Sequence, residues 1–323
     1  MHMMKTSLSL FALCVSASLA LAQDQLIIGG GNFATVVGQS KGFYAEQNLS
    51  VTIAKTSNSD EVRDGIAKGT IHFANFGIDN ALAMSDKNGA DIVFLNGNEN
   101  PPIQFVGNKG VEAIEQIRNR PVLVDAPNTQ NAVIMKRILA KQGLEAERDY
   151  SMRKSGGQPL RLEEMKKDAN AAGTMVSWPE YFQMQADGYK AFGSSLDVVG
   201  PMMIRGNWTM RPWANANREL VVRYLTAEVK SMRWAMDPKN RDEVIALLAK
   251  SRNYSQQVAS IAYENFMTPS GWQKDGALSL SALTTTITLR AEVEGGWGGK
   301  PPAAASLVDL SFLAEALKRA DAK

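Results

Sequence analysis

Short apolar runs alternate with amphipathic stretches of helix length through residue 204, and long helical stretches follow. Leu26-Ile27-Ile28 reads as a strand stopped by Gly29-Gly30-Gly31, with a helix through Val37 after it. Leu49, Val51 and Ile53 share one face of a second strand. Asn58-Ser59-Asp60 starts a helix with acidic side chains in its first turn. Ile71–Phe76 is a strand, Asn80–Ser85 a short helix and Ile92–Leu95 a further strand. After Pro101-Pro102, Ile103–Val106 reads as a strand leaving the first unit.

A second alternating unit then begins, with helices at Val111–Ile117, Asn131–Gln142, Leu160–Lys167 and Tyr181–Asp187. Its strands are Pro121–Val124 and Thr174–Ser177, and Leu196–Ile204 reads as extended chain running back towards the first unit. Strand–helix alternation of this kind predicts mainly parallel sheets covered on both faces. From Asn215 onward Val221, Leu225, Val229, Met232 and Met236 mark one buried helical stripe, broken at Asp237-Pro238. Helices follow at 241–250, 256–266 and 278–292, with a closing helix at Leu310–Arg319.

The chain opens like an export signal. Lys5 is followed by an apolar run from Leu8 to Leu21, and Ala20-Leu21-Ala22 offers small residues for cleavage after Ala22. The run is short for a membrane anchor and carries Ser and Thr. Cys14 is the single cysteine, so the mature chain (residues 23–323) has no disulfide, which suits a periplasm better than a small secreted scaffold. The formal charge of +2 gives no field that would argue for nucleic acid or an anionic membrane. The length predicts two lobes, and the exit at Ile103–Val106 with the return at Leu196–Ile204 divides them into residues 23–106 and 205–323 for lobe one and 107–204 for lobe two.

Gly42-Phe43-Tyr44-Ala45-Glu46 before a short strand, the Gly65–Asp79 phrase and the Ile117–Leu144 phrase together resemble the NMT1/THI5-like periplasmic solute-binding proteins. That family includes the nitrate, sulfonate, taurine and thiamine-precursor receptors of ABC importers. The resemblance implies a type II periplasmic-binding fold, α/β, with two doubly wound lobes on a two-strand hinge near Val106 and Ile204 and a helical tail packed on lobe one. It also implies a monomer that delivers a small molecule to an ABC permease, and through it to the ATPase, without a cofactor.

Ligand-facing residues in that architecture come from strand ends and helix starts. The expected set is Asn32, Phe33, Phe76, Asp79, Asn80 and Asn98 from lobe one. Lobe two would contribute Asp125, Asn128, Thr129, Gln130, Trp178, Glu180 and Tyr181. Each has a plain structural alternative: Phe33, Phe76 and Trp178 as core, Asp125 and Asn128 as helix caps. Trp208 and Trp213 read as hinge or tail packing. Asp79 and Glu180 argue for an amino group on the ligand, and no arginine stands at an evident cleft position. A small organic molecule carrying a ring is the expected solute.

Catalytic hardware is sparse. His72, the one histidine of the mature chain, lies inside a predicted strand and reads as structural. The family's pyrimidine-synthesis enzymes carry a cysteine-rich motif and a histidine after the third strand, where this chain has Ile78-Asp79-Asn80. That departure favours a receptor over an enzyme, with a ligand-sensing subunit acting through a partner as the remaining alternative.

Overall fold

The computed structural model describes residues 22–322. The expected signal, with Cys14, lies outside the described residues. Two five-stranded sheets form the framework. The first contains β1 (Asp24–Gly29), β2 (Leu49–Ile53), β3 (Phe73–Gly77), β4 (Ile92–Gly97) and, much later, β10 (Arg205–Met210). The second contains β5 (Gln104–Gly107), β6 (Pro121–Val124), β7 (Ser151–Lys154), β8 (Gly173–Val176) and β9 (Ala191–Ser194).

Strand order is β2-β1-β3-β10-β4 in one sheet and β7-β6-β8-β5-β9 in the other. In each, β1–β3 or β6–β8 pair in parallel, and one strand arriving from the other sheet pairs antiparallel on both sides. The chain therefore crosses twice, between Gly97 and Gln104 and between Ser194 and Arg205. The crossings are joined, since Ile204 N–H donates to the Asn100 side chain at 2.9 Å. Ile103–Val106 accordingly belongs almost wholly to the second sheet, and Val106 is buried at its centre rather than at a crossing.

Three strands escaped the hydrophobic pattern, each for a physical reason. β10 carries Asn207 and Thr209 at fully buried positions, so its interior does not look apolar. Asn207 is held by Asn96 at 3.0 Å and by the Tyr224 hydroxyl at 3.2 Å. Trp208, expected in hinge or tail packing, is completely buried in this central strand. β7 is an edge strand with Ser151 and Lys154 exposed to water and Arg153 half-buried, and β9 is a short edge beside β5. Leu196–Ile204 contains a helical turn at Ser195–Val198 instead of extended chain. Val111–Ile117 forms only a 3-10 turn at Ile114–Ile117.

The helices after β10 pack mainly on the first sheet. The helix Arg218–Met236 buries Val221, Leu225, Val229 and Met232 as its spacing predicts. Ser311–Asp321 adds Phe312 and Ala316 to the same core. The helix Leu280–Glu294 reaches both units: Leu283 and Ile287 pack with the first, while Leu289 joins the core of the second. His72 sits just before β3, where its Nδ1 accepts from Ile27 N–H at 3.1 Å and its ring stacks on Trp213 at 5.5 Å. Its role is structural. Among the described residues, no helix is long and apolar enough to cross a membrane.

Candidate functional site

A cleft of about 370 Å³ lies between the two sheets, walled by strand ends and by the starts of five helices. The helices Phe33–Lys41 and Ser59–Lys68 come from the first unit. Gln130–Lys141, Gln158–Lys167 and Glu180–Ala186 come from the second. Helix N-termini carry unpaired N–H groups and partial positive charge, so their convergence favours a ligand with an anionic part. After β1 the chain turns at Gly30, whose φ of +72° and contact with Phe76 leave no room for a side chain.

Nine expected residues line the cleft: Asn32, Phe33, Phe76, Asn80, Asp125, Thr129, Gln130, Trp178 and Glu180. Several are already engaged. Asn32 caps its own helix through Thr35 N–H at 3.0 Å. Asn80 accepts from Arg63 at 2.6 Å and donates to Gly77 O at 3.2 Å. Asp125 accepts from Ser59 across the cleft at 3.0 Å and from Thr129 at 2.6 Å. Gln130 donates to Met203 O at 3.3 Å, tying its helix to the returning crossing. An aromatic wall backs the cleft: Trp272 stacks between Phe33 at 5.3 Å and Phe266 at 5.0 Å, and Trp178 meets Phe266 edge-on at 5.9 Å.

Four expected residues lie elsewhere. Asp79 begins the helix Asp79–Asn88 but turns away from the cleft, where the buried Arg290 grips both its oxygens at 2.9 and 3.1 Å. Burial pushes the Asp79 carboxyl up, and Arg290 pulls it back. Asn98 is committed to Asn75 at 2.8 Å inside the first unit. Asn128 offers its carbonyl to Arg290 at 3.2 Å, and its side chain borders a separate shallow groove. Tyr181 follows Glu180 on a helix, and the turn of about 100° per residue directs it into the core beside Phe182.

The cleft also holds residues the sequence reading missed. Arg161, Arg205 and Arg252 all line it, against the expectation that no arginine would. Arg161 is buried and fully engaged with Thr174, Gly156 and Met175. Arg205 lies 3.5 Å from the buried Glu99, and Arg252 lies 3.6 Å from Glu180. Burial pushes the Glu99 carboxyl up against the pull of Arg205 and Arg252. Leu248, Ser251 and Phe266 complete the wall from the tail helices. An unread β10 hid Arg205, and only the fold-back of the tail brings in Arg252 and Phe266. Among the described residues, no cluster of three or more His, Cys, Asp or Glu side chains is arranged to hold a metal ion.

Solved structures share this architecture. The periplasmic nitrate-binding protein NrtA from Synechocystis PCC 6803 superposes with a TM-score of 0.73 at 15% identity, covering 94% of this chain and 90% of its own. The alkanesulfonate-binding protein SsuA from Xanthomonas axonopodis pv. citri, bound to MOPS, gives 0.68 at 15% identity, covering 91% and 97%. The desulfurization enzyme DSZB gives 0.63 at 13% identity, covering 92% and 99%, so the fold also carries an enzyme. No curated protein matches the chain in sequence. The NMT1/THI5 like family matches residues 32–241, more than half of the 323 residues, and the chain belongs to that family.

Proposed function

We propose that the protein is an extracytoplasmic receptor that takes a small organic solute between two lobes and delivers it to an ABC-type permease. The observation that carries this reading is the cleft of about 370 Å³, built jointly by strand ends and helix starts of both sheets. Its size suits a small molecule with an apolar body. The lobes follow the sheets: one built on β1–β4, β10 and the tail, the other on β5–β9. The two crossings, 98–103 and 195–204, act as the hinge. Ser59–Asp125 and Lys154–Asp60, both at 3.0 Å, link the lobes on one side of the cleft and would break on opening. The names of NrtA, a nitrate-binding protein, and SsuA, an alkanesulfonate-binding protein, support the binding of a solute.

The enzymatic alternative within the family fits the residues less well. His72 is engaged with Ile27 and Trp213, and the helix that follows β3 begins with Asp79 bound to Arg290. A thermal-shift screen over sulfonates, aromatic carboxylates, pyrimidines, amino compounds and nitrate tests the reading, with every hit recovered and analysed chemically. A ligand at about a hundred times its Kd should add roughly 2.7 kcal/mol of stability. A hit recovered intact supports a receptor; a hit recovered as another molecule makes the protein an enzyme.

Trp178→Ala removes the second lobe's aromatic contribution to the wall. Titration calorimetry with a screened hit should show affinity falling more than tenfold. Unchanged affinity would remove Trp178 from the site.

A further inference from the structure

The charges in the cleft are not all available to a ligand. Three acids and three arginines line it: Glu99, Asp125, Glu180, Arg161, Arg205 and Arg252. Two belong to the framework. Asp125 is filled by Ser59 and Thr129, and every terminal nitrogen of Arg161 is bonded within its own lobe. The other four meet as the loose pairs Arg205–Glu99 at 3.5 Å and Arg252–Glu180 at 3.6 Å, with the Tyr254 hydroxyl also facing Glu180. All four line the same cleft, and the charges of Arg205, Arg252 and Glu180 all bear on Glu99. Glu99 is nearly buried, with a side-chain exposure of 7%. The Trp272 indole N–H faces it without reaching a hydrogen-bond partner.

A ligand of one charge fits this cluster poorly. A simple anion satisfies the arginines but brings its charge beside two carboxylates already removed from bulk water. A simple amine does the reverse with two guanidinium groups. Either leaves like charges facing one another, and water screens them least around Glu99, Arg205 and Glu180, whose side chains are largely buried, while Arg252 stays 45% exposed. A ligand with both charges a few bonds apart completes the hydrogen bonding of both kinds of group. The Phe33, Phe266 and Trp178 surfaces then receive its apolar body.

Resting on the receptor reading, we propose that the solute is a zwitterion of amino-acid type, with its anionic group on Arg205 and Arg252, its ammonium on Glu99 and Glu180, and an apolar side group against the aromatic wall. The two glutamates make the protein reject otherwise identical anions.

The test uses titration calorimetry on the full protein with sets matched in body and differing only in charge. Phenylalanine is compared with 3-phenylpropionate and 2-phenylethylamine, leucine with 4-methylpentanoate and 3-methylbutylamine, and β-alanine with propionate and ethylamine. In the best-bound set the zwitterion should exceed both partners at least tenfold. Glu99→Gln and Glu180→Gln should each reduce its advantage over the anion, and Arg252→Gln its advantage over the amine. Circular dichroism and melting confirm that the variants are folded. An anion that binds as tightly as its zwitterion overturns the proposal, as does an advantage unchanged in the Glu99→Gln/Glu180→Gln double variant. Binding of nitrate or an alkanesulfonate with no zwitterion bound overturns it while leaving the receptor reading intact. Failure of every compound here and in the wider screen overturns both.

Discussion

Arg290→Ala should destabilise the protein by about 3–5 kcal/mol and lower its melting temperature by roughly 10 °C. Arg290 lies on the helix Leu280–Glu294 and is 1% exposed. Its guanidinium binds both oxygens of Asp79, reaches Asp86 at 3.4 Å and donates to Asn128 O at 3.2 Å. Removing it strands the Asp79 carboxylate in the interior, where an uncompensated charge is costly. The contact with Asn128 is also a link between the two units, just before the cleft residues Thr129 and Gln130. Differential scanning calorimetry checks the prediction; a change below about 1 °C would contradict the ion cluster. Asp79→Ala should likewise act on stability and not directly on ligand contact, which reverses the role the sequence suggested.

The second large effect concerns pH. Glu228 is wholly buried in the first unit, accepting from the Tyr44 hydroxyl and from Asn75 at 3.1 Å. Burial pushes its carboxyl up to about 7 from an ordinary 4.5, against hydrogen bonds from Tyr44, Asn207 and Asn75 that favour the charged form. Between those values the folded protein holds a proton that the unfolded chain has released. Stability from this group is therefore full below 4.5 and lost as pH rises through about 7. The shift corresponds to on the order of 3 kcal/mol.

His72 works in the opposite direction, since burial lowers it from 6.5 and its contribution is lost as pH falls. Comparing the protein with Glu228→Gln cancels that background. Urea denaturation between pH 4.5 and 8 should show the wild type's margin over the variant shrinking by about 3 kcal/mol as pH rises. A margin flat across that range would mean that Glu228 is ionised throughout.

Local pattern carried much of the fold. Apolar runs fixed the parallel strands β1, β6 and β8, and heptad-like spacing in the helix Arg218–Met236 identified its buried stripe. What failed was long-range. β10 conceals its central place because Asn207 and Thr209 are buried among polar partners contributed by distant elements. In the cleft, residues just after strands or at helix starts were legible, including Asn32, Asp125, Gln130 and Trp178. Asp79 obeyed the same rule and still turned away, because its partner Arg290 stands 211 positions later. Arg252 and Phe266 enter through the fold-back of the tail, which no local spacing announces.

Amide hydrogen exchange with and without a saturating solute tests the central claim most directly. Capture between the lobes should slow exchange together at 30–33 and 57–59 in the first unit and at 129–131, 157–158, 177–178 and 180 in the second. Protection confined to one unit, or located away from the cleft, would contradict it.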